Sequence, residues 1–447
     1  MALVSAKTDH AVPSEDLAPT RPARRFWRAV VSSTFGLAPL VGALVSVALM
    51  LRAPPLAGGA IDVLLVVVAI QGAYAALQSL LWFRYRPFRA PAGAELPSVT
   101  IIIPAFNEGP MVGRSIRSAV ESDYPRDKLE IIVVDDGSRD DTFFHMRHLW
   151  RAHPDRVKLV RFAGNRGKRA ALEAGFRAAR GEIVVTIDSD SEVEPSTVRE
   201  IVAPFLADAR VGAVAGRVAV LNRDSFISRM LEVQFALAFD FGRAAQSTYR
   251  AVAVCPGALS AFRRELVLPH LTEWTEQTFL GRPVTHGEDQ ALTNIVLRLG
   301  YDTVYQRTAT IHTLAPTTYR QLSRMFVRWD RSYIVEGLSF AKFMFSRYRD
   351  KHRVLPVVAF FVSNLRLVSL LVGLVTLPLA TLDLPRALYG TAALLIGATF
   401  SAFYYMRIER SFRFFYGALY AVYSALLLPW VLPWAMITVR DERWGTR

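Results

Sequence analysis

A single cysteine, Cys255, in 447 residues leaves no partner for an intrachain disulfide and no thiolate set for a Cys-rich metal site. It reads as a small buried apolar residue. Acidic residues are also scarce, 39 Asp and Glu against 53 Lys and Arg, which gives a formal net charge of +14. That excess would suit nucleic acid if it lay along an aromatic-studded groove, and it does not. Much of it borders long segments that lack charge altogether: Arg21, Arg24, Arg25 and Arg28 before the first, Arg84, Arg86 and Arg89 after the second. Residues 30–51, 63–83, 387–406 and 414–439 carry no charged side chain, and 354–382 is interrupted only by Arg366. At about 1.5 Å rise per residue, each is long enough to cross a hydrocarbon core of roughly 30 Å.

The flanking arginines put both ends of the first hairpin in the cytoplasm, with the short loop after residue 51 outside. The first run is too long for a signal peptide and is followed at once by a second span. The organisation expected is a mobile basic tail (1–25), a transmembrane hairpin (26–90), a cytoplasmic domain (97–315), amphipathic interface helices (316–350), a C-terminal transmembrane region (354–440) and a tail (441–447) ending in WGTR. Arg407, Arg410 and Arg413 fit a cytoplasmic loop, yet three simple spans after the cytoplasmic domain would leave the basic tail outside. So either 414–439, with Pro429 and Pro433, does not cross simply or another segment is interfacial.

From residue 98, short β-branched runs alternate with helical stretches: SVTIII, LEIIVV, VKLVRF and EIVVTI, separated by helices near 110–121, 141–152 and 167–179. This predicts an α/β domain, a mostly parallel sheet covered by helices, whose ligands bind beyond the carboxyl ends of the strands. Polar clusters stand at those ends: PAFNEG (104–109), DDGSRDDT (135–142), GNRGKRAAL (164–172) and DSD (188–190). Residues i and i+2 of an extended segment face one side, so Asp188 and Asp190 can reach one point past their strand. Hard divalent cations share oxygen ligands with substrate phosphates, which makes the pair a candidate Mg²⁺ or Mn²⁺ site for a nucleotide diphosphate. An isolated D-x-D also fits a strand running into an acidic turn; four polar clusters at successive strand ends point to a site. Asp135 and Asp136 can accept hydrogen bonds from a base or ribose, and Lys168 places a cation where a pyrophosphate would lie.

These motifs, with GRVAVLNRDS (216–225), CPGALSAFRR (255–264), QTFLG (277–281), GEDQALTN (287–294) and the terminal WGTR, make residues 98–331 resemble the catalytic domain of processive, inverting GT-A-type glycosyltransferases, in particular hyaluronan synthases and nodulation-type chitin-oligosaccharide synthases. The resemblance implies a GT-A-type domain inserted between transmembrane helices of a multi-pass inner-membrane protein. It implies nucleotide-sugar contacts from Pro104, Ala105, Asn107, Glu108, Asp135, Asp136, Lys168, Asp188 and Arg328, metal ligation by Asp190 with Asp188, and an acceptor site at Trp329, Glu288 and Gly257. Asp289 is then the catalytic base. Independently of the resemblance, an acceptor hydroxyl attacking an anomeric carbon must lose a proton, and one carboxylate can take it; Glu288 and Asp289 also suit a helix N-terminus for its dipole.

Arg320, Arg324, Arg328 and Arg331 recur at steps of four, four and three, which puts them on one helix face. Two readings stand: an amphipathic helix with arginines toward anionic headgroups, or Arg328 and Trp329 turned to the active site. The resemblance supports the second, through a Gln-x-x-Arg-Trp signature. Here Met325 occupies the glutamine's place, with Gln321 seven residues before Arg328. Arg366, near the middle of an apolar run, must face the protein interior or water; it either lines a translocation path or pairs with a lipid phosphate or neighbouring carbonyl. The expected function is processive polymerisation from UDP-GlcNAc, with or without UDP-GlcA, into an exported hyaluronan or chitin-like polysaccharide, in contact with membrane lipids and not nucleic acid. The alternatives are a transferase adding one sugar to a lipid carrier, a synthase of another β-linked glucan or uronic polymer, and a membrane assembly or receptor protein keeping a degenerate transferase fold.

Overall fold

A computed structural model describes residues 60–365, 367, 404–409 and 411–441, so the first apolar run, Arg366 and the WGTR terminus lie outside the described residues. Helix α1 (Ala60–Arg84) leads into β1 (Val99–Ala105), α2 (Met111–Val120), β2 (Leu129–Asp135), α3 (Thr142–Ala152), β3 (Val157–Arg161), α4 (Lys168–Ala178) and β4 (Ile183–Ile187). This is the expected alternation, with every helix within a residue or two of its anticipated bounds. The chain continues through β5 (Ser191–Val193), α5 (Thr197–Ala207), β6 (Val211–Val220), α6 (Phe226–Ala236), a π turn (Leu237–Phe241), α7 (Gly242–Thr248) and β7 (Leu259–Arg263). A small hairpin, β8 (Thr278–Phe279) and β9 (Arg282–Pro283), precedes α8 (Glu288–Arg298), β10 (Asp302–Thr313) and α9 (Tyr319–Ala341). Helices α10 (Val354–Leu365), α11 (Phe415–Leu427) and α12 (Val431–Ile437) follow.

Eight strands form one sheet in the order β3-β2-β1-β4-β7-β6-β10-β5. Helices cover both faces, so its strands read as unbroken apolar runs rather than alternating ones. Period 2 divides them: Ile101, Ile103, Ile131 and Val133 pack into a core with Val112 and Ile116 of α2, while Ile102, Ile132 and Val134 pack into another with Leu172 and Phe176 of α4. The half from β3 to β4 is parallel. Beyond it the pattern is mixed: β7 is antiparallel to both neighbours, and β5 is antiparallel to β10. The reversal has a consequence for the site. An antiparallel strand begins where its neighbour ends, as Leu259 opposite Ile187 shows. The Cys255–Gly257 segment therefore lies at the carboxyl edge, beside Asp188. Cys255 is buried, as expected, and burial pushes its thiol up to about 12.

The four arginines of the interface helix share one face but not one environment. Along α9, Arg320 and Arg324 are exposed, Arg328 is half-buried and Arg331 is buried against Thr438 and Asp441. The row therefore runs from solvent into protein. Gln321 is engaged locally: it completes a capping box with Thr318 at the helix start. Met325 is 7% exposed and belongs to the sheet's apolar core. Among the described residues no single helix is both long and apolar enough to cross a membrane; α12 and the segment Phe412–Leu427 containing α11 meet the length and composition only as a pair bent by 50°. The break spans Pro429, within the 414–439 run, whose simple crossing was one of two questions the charge pattern left open.

Close packing of α4 on β1 leaves no room at Gly175, where an added Cβ would stand 2.4 Å from Ile102 Cγ2. At Gly242 of α7 no atom lies within 4 Å of such a carbon. Gly175→Ala should therefore lose about 1–3 kcal/mol through overpacking despite its better helix propensity, whereas Gly242→Ala should be neutral or stabilising. Melting temperatures of the two variants in the same detergent check this, and equal shifts would contradict it.

Candidate active site

The carboxyl edge gathers its polar residues in two layers. In the first, β1 and β2 end side by side, and Asp136 N donates to Ala105 O, beside Pro104. Asn107 Oδ1 accepts from Arg139 N, its own amide donates to Ser138 Oγ, and Glu108 N donates to Thr142 Oγ1. These bonds lock the 104–109 loop onto the β2 turn. Asp135 accepts from Ser138 N and pairs with Arg161 at 3.1 Å. Asp136 receives the amides of Arg166 and Gly167 at 2.7 and 2.9 Å, and burial raises its carboxyl above the usual range despite those donors. Gly137 makes the approach possible: its φ is +74°, and a Cβ there would lie 2.4 Å from the Gly164 backbone. Asp136 thus fastens the loop that delivers Lys168.

The second layer is an ion cluster. Lys168 Nζ lies 2.6 Å from Asp188 Oδ1 and 2.9 Å from Glu288 Oε1. One cation therefore ties the start of α4, the end of β4 and the start of α8. Although Glu288 is buried, the Lys168 charge beside it holds its carboxyl well below the ordinary value. Gly287 caps α8 in the left-handed region at φ +73°, which turns Glu288 and Asp289 into the site at the positive end of the helix dipole. Asp289 Oδ2 accepts from Gly257 N at 2.9 Å, and Oδ1 from Gln290 N at 2.8 Å. Burial, and then the adjacent Glu288 charge, raise the Asp289 carboxyl above its usual range, a shift toward general-base work.

Arg328 comes close enough for its charge to act on both His286 and Glu288. Trp329 takes a separate position, half-buried in an aromatic cluster with Phe235, Phe239 and Phe326 at 5.5–6.2 Å between ring centres. Asp190 accepts from Thr313 Oγ1 of β10 and from Ser191 Oγ, both at 3.3 Å. Among the described residues no group of three or more His, Cys, Asp or Glu could hold a metal ion by itself. A pair of carboxylates nonetheless suits a cation that takes its remaining oxygens from a diphosphate. Gly257 keeps the space beside Lys168 and Asp188 open: a Cβ there would stand 3.1 Å from Lys168 Nζ and 3.8 Å from Asp188 Oδ1.

A buried network behind the cluster escaped the sequence reading. Arg169 donates to Trp274 O, Gln277 Oε1 and His286 O. Glu336 of α9, 1% exposed, accepts from Gln277 and from Asn294 of α8. The motifs containing Arg169, Gln277 and Asn294 were visible. The only sequence signal for Glu336 was an acidic residue on a helix face shared with Val335 and Phe340.

Residues 100–268 match the family described as Glycosyl transferase family 2. An N-acetylglucosaminyltransferase of Azorhizobium caulinodans is 31% identical over 359 residues, covering 78% of this chain and 87% of that one. The chain belongs to glycosyl transferase family 2. This glycosyltransferase is also 29% identical to a hyaluronan synthase of Streptococcus pyogenes serotype M1, over 84% of its own length and 88% of the relative's. Among solved structures it is similar to a mannosyltransferase of Pyrobaculum calidifontis in complex with GDP-Man and Mn²⁺, at 25% identity and a TM-score of 0.56, covering 80% of this chain and 98% of that one. The GT-A fold expected from the motifs is the fold observed.

The Lys168 bridge generates a pH signature. Because the Glu288 carboxyl is depressed in the folded state, its contribution to stability is present above the unfolded glutamate value and is lost as pH falls through the folded one. Lys168→Met leaves two carboxylates facing each other without their cation, a loss of about 3–5 kcal/mol near neutral pH. Melting curves of both proteins should draw together as pH drops from about 4.3, the unfolded glutamate value, toward the folded Glu288 value of about 2. A gap independent of pH would refute the bridge.

Proposed function

We propose that the enzyme is a membrane-bound, inverting β-glycosyltransferase that polymerises sugars from UDP donors and passes the chain outward, with a hyaluronan or chitin-like GlcNAc product. The observation that carries this reading is the convergence of Asp188, Lys168, Glu288, Gly257 and Asp289 at one sheet edge. Lys168 offers its ammonium to the leaving diphosphate, and Arg328 adds a second positive charge nearby. Asp188 and Asp190 would hold Mg²⁺ or Mn²⁺, which when bound offsets charge on the diphosphate. Asp289 takes the proton of the acceptor hydroxyl as it attacks the anomeric carbon from the face opposite UDP. Asp136 and the 104–108 loop shape the nucleoside end, and Trp329 offers a ring to the acceptor sugar.

The charge-free runs and their flanking arginines support an inner-membrane protein with a cytoplasmic catalytic domain. A chitin-like or hyaluronan product accords with the similarity to an N-acetylglucosaminyltransferase and a hyaluronan synthase. One observation favours a second reading, transfer of a single sugar to a lipid carrier: Met325 is sealed in the apolar core where the polymerase signature has glutamine.

Membranes with metal should release UDP and yield long polymer either from UDP-GlcNAc alone, for a chitin-like product, or only from UDP-GlcNAc and UDP-GlcA together, for hyaluronan. Product of one sugar on lipid would install the second reading instead. Asp289→Asn should cut transfer by about 10²–10⁴-fold. Since the base must be ionised, kcat/KM should fall as pH drops through a pKa above the ordinary aspartate value of about 3.9; an acid limb at or below that value would displace Asp289 from the role. Chelation should abolish transfer and added Mn²⁺ restore it, and Asp190→Ala should need more metal for half-maximal rate.

A further inference from the structure

The π turn Leu237–Phe241 holds two consecutive side chains in unlike surroundings. Asp240 is 1% exposed and accepts from Arg307 Nε at 2.5 Å, Arg307 Nη2 at 2.8 Å and the Tyr305 hydroxyl at 2.8 Å, both residues on β10. It also accepts from Trp82 Nε1 of α1 at 3.4 Å and from the Tyr404 hydroxyl. The preceding residue, Phe239, meets Trp329 edge to face, with centroids 5.8 Å apart and planes at 82°. Arg243 holds the turn from below: it donates to Ala238 O at 2.6 Å and to Val254 O at 2.9 Å, with its guanidinium 4.5 Å over the Phe239 ring. Isolated π turns inside helices recur at functional sites, since the extra residue costs regular hydrogen bonding and persists only where other contacts hold it. Here those contacts join α1, β10 and the 404–409 segment to the aromatic cluster around Trp329.

We propose that this turn is a positioning element for the acceptor: Asp240 anchors it, and Phe239 sets the pitch of the Trp329 ring against the acceptor sugar. The inference rests on the reading of Trp329 as an acceptor platform and adds to it two residues outside the Lys168–Asp188–Glu288 cluster. A carboxylate is needed at 240 because it receives the two parallel N–H groups of one guanidinium and two aromatic hydroxyls at once, a set that an amide, with one oxygen, cannot satisfy. A ring is needed at 239 because an edge-to-face contact orients its partner and an aliphatic side chain of similar volume does not.

The test uses the full chain in membranes, the UDP-sugar that supports transfer and a β-linked GlcNAc oligosaccharide as acceptor. Phe239→Leu should raise the acceptor KM about 3- to 10-fold, the size of one lost ring contact, with the donor KM held, and Phe239→Tyr should return it to the starting value. Asp240→Asn should move the acceptor KM in the same direction. Parallel changes in donor and acceptor KM, or no change in Phe239→Leu, would overturn the inference. Trp329→Ala separates the two ideas: if it raises the acceptor KM and Phe239→Leu does not, only the π-turn role fails. If Trp329→Ala leaves the acceptor KM unaltered, or the parent enzyme transfers no sugar, the acceptor reading fails and takes this one with it.

Discussion

Lys168 stands between Asp188 and Glu288, and much of the site depends on that single ammonium group. Two carboxylates brought together in a half-buried cleft repel each other, and one would take up a proton unless a cation lay between them. With Lys168 in place the Glu288 carboxyl is held below its ordinary value, and three elements from distant parts of the sequence meet at a fixed separation. Asp289 lies next to this charged pair, and burial, followed by the Glu288 charge, raises its carboxyl although the Lys168 charge acts the other way, whereas at Glu288 burial is outweighed, chiefly by the same ammonium. Adjacent carboxyls with opposed shifts are how one site holds an ion-pair partner and a proton acceptor side by side.

Rigidity is supplied from behind. Asp136 grips the amides that precede Lys168, and the Arg169–Gln277–Glu336–Asn294 network braces the segment that precedes Asp289. Lys168 and Arg169, adjacent in sequence, act in opposite directions: one enters the cleft and the other is buried in the frame. The frame reaches the flanking helices as well, through Asp240 with Trp82 and Tyr404, and through Arg331 with Thr438 and Asp441. The catalytic domain is therefore fastened to its flanks by buried charge rather than joined to them only by chain.

The strand ends were legible because a parallel α/β sheet puts polar residues where its apolar runs stop, and β1, β2, β3 and β4 each did so. The role of Gly257 was less legible, since its place beside Asp188 follows from the antiparallel direction of β7, which no local pattern announces. The arginine row of α9 was read correctly as one face, yet that face passes from solvent to buried contact, and helical spacing cannot say what lies opposite. Met325 shows the same limit, since its place in the core depends on neighbours remote in sequence; Gln321 differs, because the capping box it forms with Thr318 is a local pattern. Phe239, Asp240 and Glu336 carried no readable motif.

By itself the sequence determined the alternation of strands and helices, the charge-free runs, the identity of the chemical groups at the strand ends and, through its motifs, the family. These follow from periodicity and residue type, which are local. The tertiary structure decided which of those groups meet: the ion pairs of Lys168, the amide that Gly257 gives to Asp289, the aromatic cluster around Trp329 and the buried seat of Asp240. Each joins residues at least 20 positions apart or requires a turn whose hydrogen bonds are supplied by other elements. Pairings of that kind depend on strand direction and helix packing, which only the assembled core specifies.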